Sequence, residues 1–349
     1  MRYWILLAFF LLSQSVTSDS TRGKIQYDPK PEEGYFQGWN YSFKDKDTII
    51  FVTFLVSNLG PGSLNNGVSL YIQSKKTGIY YSTKEFAGYD LDVTSGVFGQ
   101  KSGTNRFYKK DNKVTIEVRL EDVSLDLNFQ VGRFPILALS NGEYPLDPYA
   151  GFLRADIGFA KAKATGELKF KEQLIPLKGH GSLEHLNTNV EVYKFSKSWE
   201  ILRAYSSNGW KFFYGGFTAT DNFPKKFFKR YAILNEKNEI VYSGNVKEIE
   251  VTKWISNSFS GYEIPVGQEL KLEENDKCKV IIQDSRDLGE INVLSNISVV
   301  LRLFVRMFFA RPYQIHKETK VEWNCNADTD SEENLKFNTG THSYYLINR

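Results

Sequence analysis

The sequence predicts an all-β protein built from antiparallel sheets closed into barrels, and three observations carry that prediction. Apolar residues recur with a period of two, clusters of Gly, Asn, Pro and Ser separate short β-rich runs, and no alternation of strand-like with helix-like segments occurs. The clearest run is Val114, Ile116, Val118 and Leu120, which alternate with Thr115, Glu117 and Arg119. Val123, Leu125, Leu127 and Phe129 then alternate with Ser124, Asp126 and Asn128. The two-residue connection Glu121-Asp122 puts Leu120 opposite Val123 on one apolar face, which is a hairpin.

Further β-rich segments are expected at 48–56, 68–73, 78–82, 211–220, 231–234, 240–242, 249–255, 279–283 and 321–325. Turn clusters such as Asn58–Ser63, Asn65–Gly67 and Ser140–Gly142 fall between them. Residues 297–310 read as one more strand, because the odd positions Val299, Leu301, Leu303, Val305, Met307 and Phe309 are all apolar. Arg302 and Arg306 argue against a membrane span there, at a cost of roughly 2.5 to 3.5 kcal/mol each.

A chain of 349 residues exceeds the ~250 to 300 at which one core stops growing, so two domains are expected. The small and charged stretch Ala160–Gly166 and the break at Pro176 place the boundary near Lys178, giving 19–178 and 179–349. Residues 1–18 carry one charge, Arg2, an apolar run from Tyr3 to Leu12 and small residues before Asp19. That pattern is a secretory signal peptide and predicts an exported protein, periplasmic or extracellular. Its apolar run is too short to span a membrane.

A balance of 44 basic against 41 acidic side chains offers no electrostatic case for nucleic acid. The segment Pro224–Arg230 is locally basic and aromatic and has two readings, a peripheral contact with anionic lipid heads and a solvated loop. Cys278 and Cys325 either pair, as export allows, or are separately buried thiols. No His, Asp, Glu or Cys spacing implies a metal, and no phosphate loop, dinucleotide fingerprint or nucleophile elbow implies a cofactor or a serine nucleophile. Asn40-Tyr-Ser42 and Asn296-Ile-Ser298 fit the glycosylation sequon.

The most informative stretch is Gly179-His-Gly181-Ser-Leu-Glu184-His185 followed by Trp199-Glu-Ile-Leu-Arg203-Ala204. It resembles the Gly-x-Gly-Tyr-x-Asp and Trp-x-Trp-x-Arg-Ala motifs of the carotenoid 1,2-hydratase (hydroxyneurosporene synthase) and AttH-like family. Tyr35–Tyr41 is similar to the Phe-Glu-Gly-Trp-Tyr pattern of tocopherol cyclases, and Phe308–Tyr313 to the aromatic-arginine segment of the last strands of these families. The resemblance implies two tandem lipocalin-like barrels packed together and a hydrophobic lipid- or isoprenoid-like ligand. It carries over Glu184 as the acid and Arg203 as its electrostatic neighbour. Ser182 stands where the family has Tyr, Glu184 where it has Asp, and Ile201 where it has the second Trp.

A hydratase or cyclase of this type protonates a carbon–carbon double bond and needs a carboxyl kept neutral by burial, with aromatic faces to stabilise the cation. Trp39, Tyr41, Trp199, Tyr205 and Trp210 are the candidate ligand-binding aromatics, with Ser182 beside the acid; the chain's 26 Phe, 20 Tyr and 6 Trp make such a lining available. Glu184 has a second reading, a structural carboxylate tied to Arg203. In an extended strand His180, Ser182 and Glu184 face one way, Leu183 and His185 the other, and His180 lies about 13 Å from Glu184, too far for a dyad. His185, His316 and His342 read as satisfied surface or interface imidazoles.

Overall fold

The computed structural model describes residues 23–58, 64–295, 312–325 and 334–347. The signal peptide, the strand expected at 297–310, the Asn296 sequon and Phe308–Arg311 therefore lie outside the described residues.

Among the described residues, thirteen strands form a first, nearly closed sheet: β1 (Phe36–Lys44), β2 (Thr48–Ser57), β3 (Asn65–Ser74), β4 (Gly78–Phe86), β5 (Leu91–Asp92), β6 (Gly99–Ser102), β7 (Asn105–Lys110), β8 (Lys113–Leu120), β9 (Val123–Gln130), β10 (Leu137–Ala138), β11 (Tyr144–Leu146), β12 (Gly151–Phe170) and β13 (Gln173–Thr188). Eight more close into an antiparallel barrel: β14 (Ser196–Tyr205), β15 (Lys211–Ala219), β16 (Phe227–Leu234), β17 (Ile240–Ser256), β18 (Glu263–Leu272), β19 (Cys278–Asn292), β20 (Tyr313–Cys325) and β21 (Leu335–Leu346). One helical turn, α1 (Val192–Phe195), joins the two. No described helix is long and apolar enough to cross a membrane.

The period-two pattern forms what it predicts. Leu120 pairs with Val123 across the β8–β9 hairpin, and the other apolar residues of the pattern are buried in the first sheet, with Leu120 partly buried against them. On β1 the parity is just as plain. Trp39, Tyr41 and Phe43 enter the core with Phe54, Phe107 and Phe129, leaving Asn40, Ser42 and Lys44 on the outer face.

Three expectations need correction. Lys178 lies in the middle of β13, and the chain leaves the first sheet only after Thr188. The reason is that β13 is paired on both edges, with β1 along Phe36–Lys44 and with β12. The runs 240–242 and 249–255 are parts of one long strand, β17. The basic patch is not a solvated loop throughout, since β16 starts at Phe227 and Lys229 is buried.

The Gly179-x-Gly181 pattern has a packing cause. A Cβ on Gly179 would stand 2.3 Å from the Lys44 carbonyl oxygen, and one on Gly181 2.0 Å from that of Ser42. Only glycine lets β13 lie this close to β1. Cys278 and Cys325 face each other across β19 and β20 and form a disulfide.

Candidate functional site

The outer face of the first sheet packs on the outside of the second barrel, and between them lies a cleft of about 750 Å³. That size suits a small-molecule ligand. Its walls are mainly apolar: Phe36 and Leu186 from the first sheet, Trp199, Ile201, Phe217 and Phe228 from the second. Gly215 and Gly216 add wall without side chains, and Gly216 is fixed as glycine by a φ of +143° and a would-be Cβ 2.0 Å from the Phe228 carbonyl oxygen.

Glu184 is one charged residue of a lining that also includes Lys225, Lys226, Arg230, Lys247 and Glu273. In register with Asn40, it faces outward from β13 into the cleft. Arg203 Nε of β14 donates to its Oε1 at 2.5 Å and Ser182 Oγ at 2.8 Å, while Asn40 Nδ2 donates to Oε2 at 3.2 Å. All three partners are donors, so the carboxylate is held as an acceptor. Asn40 Nδ2 also donates to the Tyr345 hydroxyl at 3.2 Å, and Thr53 Oγ1 donates to Asn40 Oδ1 at 3.0 Å. Burial opposes the charge of Arg203, but the Glu184 carboxylate beside it outweighs that and lifts its pKa further. Both ion-pair side chains are under 5 % exposed. Removing either partner would leave an uncompensated charge.

The predicted residues divide between cleft and cores. Glu184 and Trp199 line the cleft, Arg203 and Ser182 hold Glu184, and Tyr205 lies close enough to Arg203 to feel its charge while Lys161 sits 5.4 Å over its ring. Trp39 and Tyr41 are instead enclosed in the first sheet, where Trp39 Nε1 donates to the Ile25 carbonyl at 2.8 Å. Trp210 packs against the core of the second barrel. Sequence reading missed Thr53 and Tyr345, and quoted Asn40 only within a motif and as a sequon. The amide of Asn40 is committed to Glu184 and Tyr345, so a glycan there conflicts with the cleft.

The three histidines read as surface or interface groups are all buried. His185 points into the first sheet, its Nδ1 2.9 Å from Asp156 Oδ2 and its Nε2 2.7 Å from Gln37 Nε2. Gln37 Oε1 accepts from Tyr35, so its Nε2 is a donor; His185 Nε2 accepts and Nδ1–H donates to Asp156. Both residues border the cleft, yet both side chains are 0 % exposed and every ring nitrogen is engaged. His316 stacks on Phe51 between the sheets with ring centroids 3.9 Å apart. Burial, aided by Arg203, pushes its pKa down to about 3.

His342 belongs to a second polar cluster, inside the closed barrel. Glu200 accepts from Lys229 Nζ at 2.8 Å and Gln268 Nε2 at 3.3 Å, and His342 Nε2 makes an ion contact with it at 3.4 Å. Asp284 takes His342 Nδ1 at 3.1 Å and the Tyr344 hydroxyl at 2.5 Å. Burial disfavours charge on His342, but Asp284 and Glu200 outweigh it and raise its pKa to about 9. Among the described residues no group of His, Cys, Asp and Glu could hold a metal ion.

Fold and cleft together define a tandem β-barrel protein with an apolar cavity between its two units. The same tandem architecture occurs in a protein described as AttH from Nitrosomonas europaea, at 12 % identity with 89 % of this chain and 92 % of that one covered and a TM-score of 0.62. CghA with bound Sch210972 is similar at 10 % identity, covering 94 % and 98 %, with a TM-score of 0.60. Kievitone hydratase from Nectria haematococca is similar at 10 % identity, covering 94 % and 98 %, with a TM-score of 0.52. No protein-family model and no curated protein sequence matches the chain. The likeness is therefore one of fold, and the chemistry has to be argued from the site.

Proposed function

We propose that this protein binds an apolar small molecule, lipid- or isoprenoid-like, in the cleft between its two sheets, with the Glu184 cluster meeting the ligand's polar end. The observation that carries the reading is the cleft itself: about 750 Å³, walled by Trp199, Ile201, Phe217 and Leu186, with a fixed hydrogen-bonding group in its lining. Among the described residues each unit has its own buried apolar cluster, and the cleft lies between the two. CghA, of related fold, has a structure with a small molecule, which supports the same use here. The signal-peptide pattern and the disulfide fit work outside the cytosol.

A second reading is a hydro-lyase or cyclase acting on the same ligand, favoured by the fold shared with a kievitone hydratase. The geometry supports Glu184 as an acceptor at the reacting end rather than as the donor of a proton to a double bond, since each of its polar partners donates to it. The test is to identify co-purified molecules by mass spectrometry and to assay unsaturated isoprenoids with wild type and Glu184→Gln. Retained lipid without turnover is the expected result for a carrier. Turnover lost by at least about 100-fold in the variant would establish the enzyme. A protein that retains nothing and turns over nothing contradicts both.

A further inference from the structure

We propose that Glu184 and Tyr345 form a matched acceptor and donor that receive a single hydroxyl group, so that the cleft selects an apolar alcohol over the hydrocarbon of the same skeleton. The proposal rests on the reading of the cleft as a ligand site and names the class of ligand.

Asn40 sets the orientation of the site. Its amide touches Glu184 Oε2, and a carboxylate only accepts, so the atom facing Glu184 is the NH2 group and the amide orientation is fixed. The second hydrogen of that NH2 goes to the Tyr345 oxygen, and Asn40 Oδ1 is occupied by Thr53. Tyr345 is thereby an acceptor toward Asn40, with Ser343 also beside its hydroxyl. The phenol's own proton goes to an acceptor other than Asn40. Burial, the largest influence on Tyr345, holds its pKa above the ordinary value, so that proton is present at neutral pH.

Glu184 complements this. Oε1 is filled by Arg203 and Ser182, whereas Oε2 accepts from Asn40 and keeps a lone pair. Both residues line the cleft. Two oxygens that each lie 3.2 Å from one amide nitrogen are separated by about 5.5 Å, given the ~120° between the amide hydrogens. One hydroxyl oxygen on the far side of that line from Asn40 bridges the two with hydrogen bonds of about 3.0 Å, accepting from Tyr345 and donating to Glu184. A hydrocarbon end would leave both groups unpaired against an apolar surface, which disfavours it.

The test is a titration of the full chain, read by quenching of tryptophan emission, with the C15 alcohol farnesol and the C15 hydrocarbon farnesene. Wild type should bind farnesol about tenfold more tightly, and Tyr345→Phe should bring farnesol down to the farnesene affinity. Equal affinity of wild type for the two overturns the pair and leaves the cleft reading intact. Binding of neither overturns both. The wild-type comparison stands even if the variant fails to fold.

Discussion

The cleft and the interior of the second barrel each hold a buried glutamate beside a buried cation, and they differ in what is left over. Glu200 is surrounded by Lys229, Gln268 and His342, and Asp284 beyond them is taken by His342 and Tyr344. Glu184 has Arg203, Ser182 and Asn40, but Glu184 and Tyr345, which share the Asn40 amide, both line the cleft. The ingredients are alike. A network closed on itself fixes a core, whereas one with unused capacity facing a cavity can recognise a molecule.

The largest expected effect tests the closed side. Lys229→Met takes from Glu200 its shortest charged partner inside the barrel, leaving Gln268 and the longer His342 contact, and should cost about 3 to 5 kcal/mol in urea unfolding. Arg203→Met strands Glu184 beside a cleft that can admit water and should cost less, about 2 kcal/mol. Equal losses would break the comparison, because they would mean that Glu184 is sealed as tightly as Glu200.

A pH titration of stability sharpens it. His342 has a folded pKa of about 9 against an unfolded value near 6.5, so its contribution is fully present below pH 6.5 and is lost as pH rises to 9. The loss should be about 3 kcal/mol, and His342→Gln should flatten that alkaline limb. His316 has the opposite sign: its folded pKa of about 3 means that stability falls as pH drops from 6.5 toward 3. The two buried imidazoles thus bracket a stability maximum near pH 6.5. An alkaline limb unchanged in His342→Gln would remove the charged barrel cluster from the account. The smallest effect is Ser182→Ala, which removes one of Glu184's donors and should cost about 1 kcal/mol in the same unfolding measurement.

Much of the fold was legible because β alternation is local. Val114–Phe129 announces its own hairpin, whereas β1 was not among the expected strands, its residues having been noticed only for their motif. What alternation does not reveal is which face meets the cleft, and for this reason Trp39 and Tyr41 were expected at the ligand and are found in the core. The boundary at Lys178 missed because β13 is committed by partners far away in sequence, β1 among them. Glu184 with Arg203 was legible through motif resemblance, and the pair does meet. Tyr345 was not, since its link to Asn40 joins residues 305 positions apart. The buried histidines read as satisfied surface or interface groups, and their burial was not legible because a polar residue's partners, here Asp156, Ser343 and Asp284, belong to other strands.

The central claim is that ligand sits between the barrels and not inside either of them. Photo-crosslinking with a diazirine-bearing farnesol analogue, followed by peptide mass spectrometry, tests it directly. The account predicts adducts on Phe36, Leu186, Trp199, Ile201 or Phe217, which wall the cleft. Adducts on Trp39 and Tyr41 in the first core, or on Trp323 in the second, would contradict it.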